Sequence, residues 1–227
     1  MAEYSQYESV DTFTPEGKVK ALEYIRNTVD LGNTTIALGN KKCGVLLAYT
    51  GKKSVLAHKQ PKIFKISEKA IFSFAGITND GLDIVKYLID LSVWEEIYKN
   101  REIHPIKVFD DLREEASLRT LYSRNRMYGC GGILLSSYNN EINIVEFEPA
   151  GNVQYVNAVS IGSRSQSAKT ILENYSGDYE NADRNALIKI AIEALRNAHP
   201  DEELNSDNLE VWCLEDKAYI VESFDFN

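Results

Sequence analysis

Positive charge is in short supply in this 227-residue chain: 25 Lys and Arg stand against 34 Asp and Glu, a formal net charge of −9. Nucleic acid and anionic membranes both call for a surplus of Lys and Arg, so neither is expected as a main partner. Cysteine is scarce and odd in number. Cys43, Cys130 and Cys213 are widely spaced and form no CxxC pair, which argues against zinc and against a disulfide framework. Free thiols suit a reducing compartment. Long apolar runs are missing too; the longest, Val45 to Tyr49, is far short of a membrane span. The start, Met-Ala-Glu-Tyr-Ser, is polar and acidic, unlike a signal or transit peptide. A soluble intracellular protein is expected, in which the sequons at Asn33 and Asn174 mean nothing. His58, His104 and His199 are far apart, with no second His at ligand spacing, and read as surface or turn histidines. No phosphate-loop or dinucleotide glycine pattern occurs. No metal and no cofactor is expected.

What is present is enough apolar residue for a large core: 44% of the chain is hydrophobic and 10% aromatic. Area scaling gives roughly 10,000 Å² of folded surface against roughly 37,000 Å² unfolded. No linker or repeat divides the chain, so residues 1–227 read as a single domain. Thr14-Pro15 reads as a helix start, a hydroxyl cap followed by Pro. Val19, Leu22, Ile25 and Val29 then recur at helical spacing until Gly32. This amphipathic helix, residues 14–31, precedes any strand and needs something else to pack on. Short strands follow at Thr34–Leu38 and Gly44–Tyr49, then at Ile63–Ile66 and Ala70–Ala75. Two helical stripes come next (Leu82 to Val93 and Val108 to Leu121), separated by His104-Pro105. Strands return at Ile133–Ser137, Glu141–Phe147 and, with an interruption, Val153–Ile161. Ser163-Arg164-Ser165-Gln166 has the form of a capping box, and Asp183 opens a further helix with a clean apolar face from Leu187 to Ala198. A hairpin of Leu209–Leu214 and Ala218–Val221 ends the pattern. Strands in blocks joined by hairpins point to antiparallel sheets. Two sheets face to face, with a helix pair on each outer face, make an α+β fold: a four-layer α-β-β-α sandwich with an extra N-terminal helix.

Few residues suggest chemistry. Cys130, in Gly129-Cys130-Gly131-Gly132, reads as a buried thiol at a tight strand start. Seven lysines (41, 42, 52, 53, 59, 62 and 65) lie between Leu31 and Ser67 with no Asp or Glu among them. Most suit solvated turns; the functional reading is a docking site for carboxylates such as the C-termini of other polypeptides. Thr34-Thr35 heads the first strand, as in the N-terminal nucleophile hydrolases, where a Thr hydroxyl attacks and its own free amine is the base. Here 33 residues precede Thr34, so its nitrogen is an amide.

The motifs Tyr7-Glu8, Thr12 to Val19 and Leu22-Glu23-Tyr24 resemble the opening signature of proteasome alpha-type subunits. The likeness continues through Gly32 to Thr35, Gly44 to Ala48, Lys62-Ile63, Phe74-Ala75-Gly76, Arg126 to Gly129 and Pro149 to Val153. It covers nearly the whole sequence. The segment Ile161 to Glu173 is most like the alpha subunit at the sixth ring position in systematic naming.

The resemblance implies the N-terminal nucleophile hydrolase fold without its activity. It implies a non-catalytic structural and gating subunit of the outer alpha ring of the 20S core particle, in ubiquitin-dependent degradation, in cytoplasm and nucleus. The implied partners are other alpha subunits in a heptameric ring, beta-ring subunits, and activators or a regulatory particle docking through C-terminal tails. It implies a mobile gate tail at residues 1–13 and a ring-packing helix at 14–31. The family's gate cluster falls on Tyr7, Glu8, Pro15 and Tyr24, and its activator-tail pocket on Lys62, Gly17 and Val19. Glu8 stands where the family has Asp, the Tyr7–Pro15 spacing is one residue short, and Met127 and Lys18 replace Pro and Arg. The catalytic class carries an Asp where Thr50 stands here. The rival readings are a threonine protease activated by removal of residues 1–33 and a stand-alone binding module of similar fold.

Overall fold

The computed structural model describes residues 13–51, 56, 60–122 and 125–221. The first helix, α1, spans Lys20–Asp30. It is followed by β1 (Thr35–Gly39), β2 (Gly44–Tyr49), β3 (Ile63–Ser67), β4 (Ala70–Gly76), α2 (Thr78–Lys99) and α3 (Asp110–Leu121). The second half holds β5 (Cys130–Tyr138), β6 (Glu141–Phe147), β7 (Val153–Val156) and β8 (Ala158–Ile161). It ends with α4 (Ser165–Asn174), α5 (Arg184–Ala198), β9 (Leu209–Leu214) and β10 (Ala218–Ile220).

The strands form two antiparallel five-stranded sheets, ordered β10-β9-β2-β1-β8 and β3-β4-β5-β6-β7. One core lies between the first sheet and α4–α5, built around Leu38, Leu47, Leu187 and Leu195. A second lies between the other sheet and α2–α3, built around Phe72, Phe109, Leu134 and Phe147. The third lies between the sheets, where Ala37, Leu46, Ile71 and Ile133 meet. This is the expected four-layer sandwich. It explains why β1 and β2 are buried at every position and β5 at all but its last. A strand covered on both faces reads as an unbroken apolar run.

Local chemistry accounts for the turns. Asn139 and Asn140 both take positive φ (54° and 61°), joining β5 to β6; Asn tolerates this region better than other side chains. Asn40 closes the β1–β2 turn: its oxygen accepts from the amides of Lys42 and Cys43, and its nitrogen donates to the carbonyls of Tyr179 and Ala182. Asp183 caps α5, accepting from Ala186 N at 2.8 Å. Asp80, in the first turn of α2, receives both Arg126 guanidinium nitrogens and Gly129 N, each at 2.7 Å. The Arg126 bonds lead in holding its carboxyl below the ordinary range. This contact locks the β4–α2 corner to the start of β5.

Two sequence expectations need correction. Thr14-Pro15 does not start the helix. Thr14 O instead accepts from Gly17 N at 2.8 Å, and Thr14 N donates to Lys18 O at 2.7 Å, closing a turn across a Phe13–Val19 bridge. The helix therefore begins at Lys20, not at residue 14. Ser163 does not cap α4: Arg164 precedes that helix in the left-handed region (φ 54°), with no side-chain cap. Ser163 instead bonds through its backbone to Gly32 and Thr34. The interruption in Val153–Ile161 falls at Asn157, where the backbone passes from one sheet to the other: β7 pairs with β6, β8 with β1. Asn140→Ala is expected to lower unfolding free energy by about 1 kcal/mol through the left-handed backbone, and Asn140→Gly to cost nothing, as read from urea denaturation midpoints.

Candidate functional site

Thr34, one residue before β1, is fully buried. Its hydroxyl donates to the carbonyl of Ser163 at 2.6 Å and lies 2.7 Å from His199 Nε2. A threonine has one hydroxyl hydrogen, which Ser163 O receives, so Nε2 carries a hydrogen and donates to Thr34 Oγ1. His199 is thus no surface histidine: it is 8% exposed and stacks on Tyr49 with ring centroids 4.7 Å apart. Burial first, then the Arg164 charge, pushes its imidazole pKa below the ordinary value. Sequence reasoning missed it because its partners come from distant parts of the chain. A His beside the Pro that stops α5 was the available signal.

A nucleophilic threonine needs a free base and room for substrate. Thr34 has neither, because its nitrogen is an amide and its hydroxyl is committed on both sides. Thr50, where the catalytic class carries Asp, is a hydroxyl buried without a hydrogen-bond partner among the described residues. The thiols are equally closed. Cys43, Cys130 and Cys213 are buried, and burial leads in raising each pKa to about 12. Iodoacetamide at neutral pH is expected to leave all three unmodified in the folded protein and to label them in denaturant, as mass spectrometry reads directly.

The other candidate residues divide into two groups. Pro15, Gly17 and Val19 lie on the turn preceding α1, Gly17 with a positive φ of 76° and open space where a side chain would stand. Tyr24 lies in α1 and is 56% exposed. Tyr7 and Glu8, with the expected tail at 1–13, lie outside the described residues apart from Phe13. Lys62 is elsewhere, just before the edge strand β3. Its amide donates to Glu210 Oε2 at 2.9 Å, and its carbonyl accepts from Ser73 Oγ at 2.7 Å. The Lys62 ammonium is half-buried, its pKa lowered by burial, and no carboxylate pairs with it among the described residues. By contrast, Lys41 and Lys65 are paired with Glu141 and Glu68. Among the described residues, no hydrogen bond or ion pair joins Lys62 to the Pro15–Val19 turn.

α1 itself is incompletely covered. Val29 is its buried residue, while Leu22 and Ile25 are half-buried. Tyr24 and Leu31, seven residues apart on the opposite face, point away from the sandwich, Leu31 at 86% exposure.

A family model for proteasome subunits matches residues 29–214. Among curated proteins, the proteasome subunit alpha type-6 of Saccharomyces cerevisiae is 31% identical over 202 residues, covering 88% of this chain and 86% of the relative. The alpha type-1 subunit of Caenorhabditis elegans is 31% identical over 212 residues (91% and 80%). That of Dictyostelium discoideum is 30% identical over 212 residues (91% and 85%). With a closed threonine, a four-layer sandwich and a leading helix, the chain belongs to the proteasome subunit family, as an alpha-type member.

Proposed function

We propose that this protein is a non-catalytic structural and gating subunit of the outer alpha ring of a 20S proteasome core, serving ubiquitin-dependent degradation in cytoplasm and nucleus. The observation that carries it is the commitment of the Thr34 hydroxyl to Ser163 and His199 inside the core. With its amine used in a peptide bond, the fold keeps the frame of the hydrolase and loses the nucleophile. The uncovered face of α1 supports assembly. Its exposed Tyr24 and Leu31 suit a neighbouring subunit, and an obligate ring contact buries on the order of 2,000 Å² or more.

The half-buried Lys62 ammonium supports the docking role. A desolvated cation with no counter-charge among the described residues is favourably placed for an incoming carboxylate. Within one subunit no hydrogen bond or ion pair among the described residues joins Lys62 to the turn that carries Gly17 and Val19, which fits a pocket shared between neighbours, each supplying one side. The Pro15 turn and Tyr24 fit a gate support, into which Tyr7 and Glu8 would be drawn. The relatives carry both type-6 and type-1 names, so the sixth position in systematic naming rests on the likeness of Ile161 to Glu173.

Native size exclusion of cell extract should place the protein in a very large particle, with intact-mass measurement showing residues N-terminal to Thr34 still attached. A mature polypeptide beginning at Thr34 and cleaving peptides alone would establish the threonine-protease rival instead. Lys62→Ala should leave particle assembly unchanged and reduce activator-stimulated peptide hydrolysis, measured with tail peptides of the activator. Undiminished stimulation would remove Lys62 from the pocket.

A further inference from the structure

The linker between α1 and β1 sits at a junction of three elements. On one side, Gly32 packs so closely on the β4–α2 corner that a Cβ would collide with Gly76 N and the backbone of Ala75. On the second, Ser163 N donates to Gly32 O at 2.8 Å, while Ser163 O accepts the Thr34 hydroxyl at 2.6 Å. One residue at the β8–α4 corner therefore holds the linker twice. On the third side stands His199, the first residue after α5, with Nε2 2.7 Å from Thr34 Oγ1. The corner and the end of α5 are also tied together. Arg164, in a left-handed backbone conformation, donates from Nη1 to Ala198 O at 3.2 Å.

We propose that His199 is a positioning residue for α1: acting through Thr34 it sets where the N-terminal helix leaves the sandwich, and a proton on its ring loosens that hold. Only the consequence at the pore rests on the alpha-ring reading; the contact lies within one subunit. Because α1 follows directly on the Pro15 turn, a change in its seating reaches the residues proposed to support the gate.

Nε2 already carries a hydrogen, so the added proton enters at Nδ1. It does not remove the bond to Thr34; it creates a cation inside the junction. The groups around the ring are the Tyr49 phenol ring from β2, stacked on it, Arg164 from the start of α4, Glu202 beyond α5 and the neutral Thr34 hydroxyl. Burial and Arg164 oppose the cation, and Glu202 favours it. The folded form therefore binds this proton less readily than the open form, whose imidazole has the ordinary value near 6.5. The hold is complete above that pH and weakens as the pH falls towards the lower native value. An opened ring is drawn outward, and Thr34 loses its donor.

The test is hydrogen exchange by mass spectrometry on particles purified through a tag on this subunit. Peptides covering residues 19–34 are followed at pH 7.5 and 5.5 and corrected for intrinsic rates. In the wild type, exchange in this segment should rise roughly five- to tenfold on acidification, the scale of one lost buried hydrogen bond. His199→Phe keeps the stacking on Tyr49 without the donor, and should be fast at both pH values. His199→Gln offers an amide donor that does not titrate, and should be slow at both. Unstimulated peptide hydrolysis should rise in His199→Phe and return to the wild-type level in His199→Gln. Wild-type exchange in His199→Phe, or a wild-type acid response in His199→Gln, overturns the proposal. If His199→Phe does not fold, wild type against His199→Gln still decides. If the wild-type protein is found outside any large particle, the alpha-ring reading fails, and exchange on the protein as purified still judges His199.

Discussion

The contact between the two sheets, with Ala37, Leu46 and Ala48 on one side and Ile71, Ile133 and Leu135 on the other, is what the remaining layers are arranged around. Once the inner faces are joined, each outer face is still apolar and needs a helix pair. Burying one large aliphatic residue contributes about 1.5–3 kcal/mol, so leaving an outer face uncovered is not a stable option. The α2–α3 and α4–α5 pairs satisfy both faces. α1 is then a fifth helix in a molecule whose outer faces are already covered. It seats Val29 at one end of the sandwich and keeps apolar residues on its far side.

The same end of the sandwich explains the loss of chemistry. Thr34, which the family resemblance matches to the hydrolase nucleophile, uses its hydroxyl as a structural bond between three elements. Burial and two partners are how a polar group is kept inside a core without a desolvation cost. A nucleophile must instead keep a lone pair free and facing a space. A threonine cannot serve both purposes, and the amide on its nitrogen removes the base as well. Assembly is the role that remains, and the uncovered outer face of α1 suits it; the proposed gating and docking would use the Pro15 turn and the half-buried Lys62 ammonium.

Much of this architecture was legible in the residues. β2 and β6 have the bounds their apolar patterns indicate, and Asp183 caps α5 as its position suggests. The errors came where a short motif had two uses. Thr14-Pro15-Glu16-Gly17 is both a helix start and a tight turn, and Gly17, free to take positive φ, decided for the turn. Ser163-Arg164-Ser165-Gln166 has the spacing of a capping box. The Ser163 backbone was instead drawn away to hold Gly32 and Thr34. His199 was misplaced because nothing adjacent to it reveals a partner 165 positions away.

By itself the sequence determined the alternation of helices and strands and the position of Thr34 behind a helical stripe, since periodicity and position along the backbone are local properties. Which sheet received β7 and β8, the half-burial of the Lys62 ammonium, and the Thr34–Ser163–His199 bond were decided only by the tertiary structure. Each depends on groups brought together from distant parts of the polypeptide, where burial and hydrogen-bond geometry select among pairings that the linear order leaves equal.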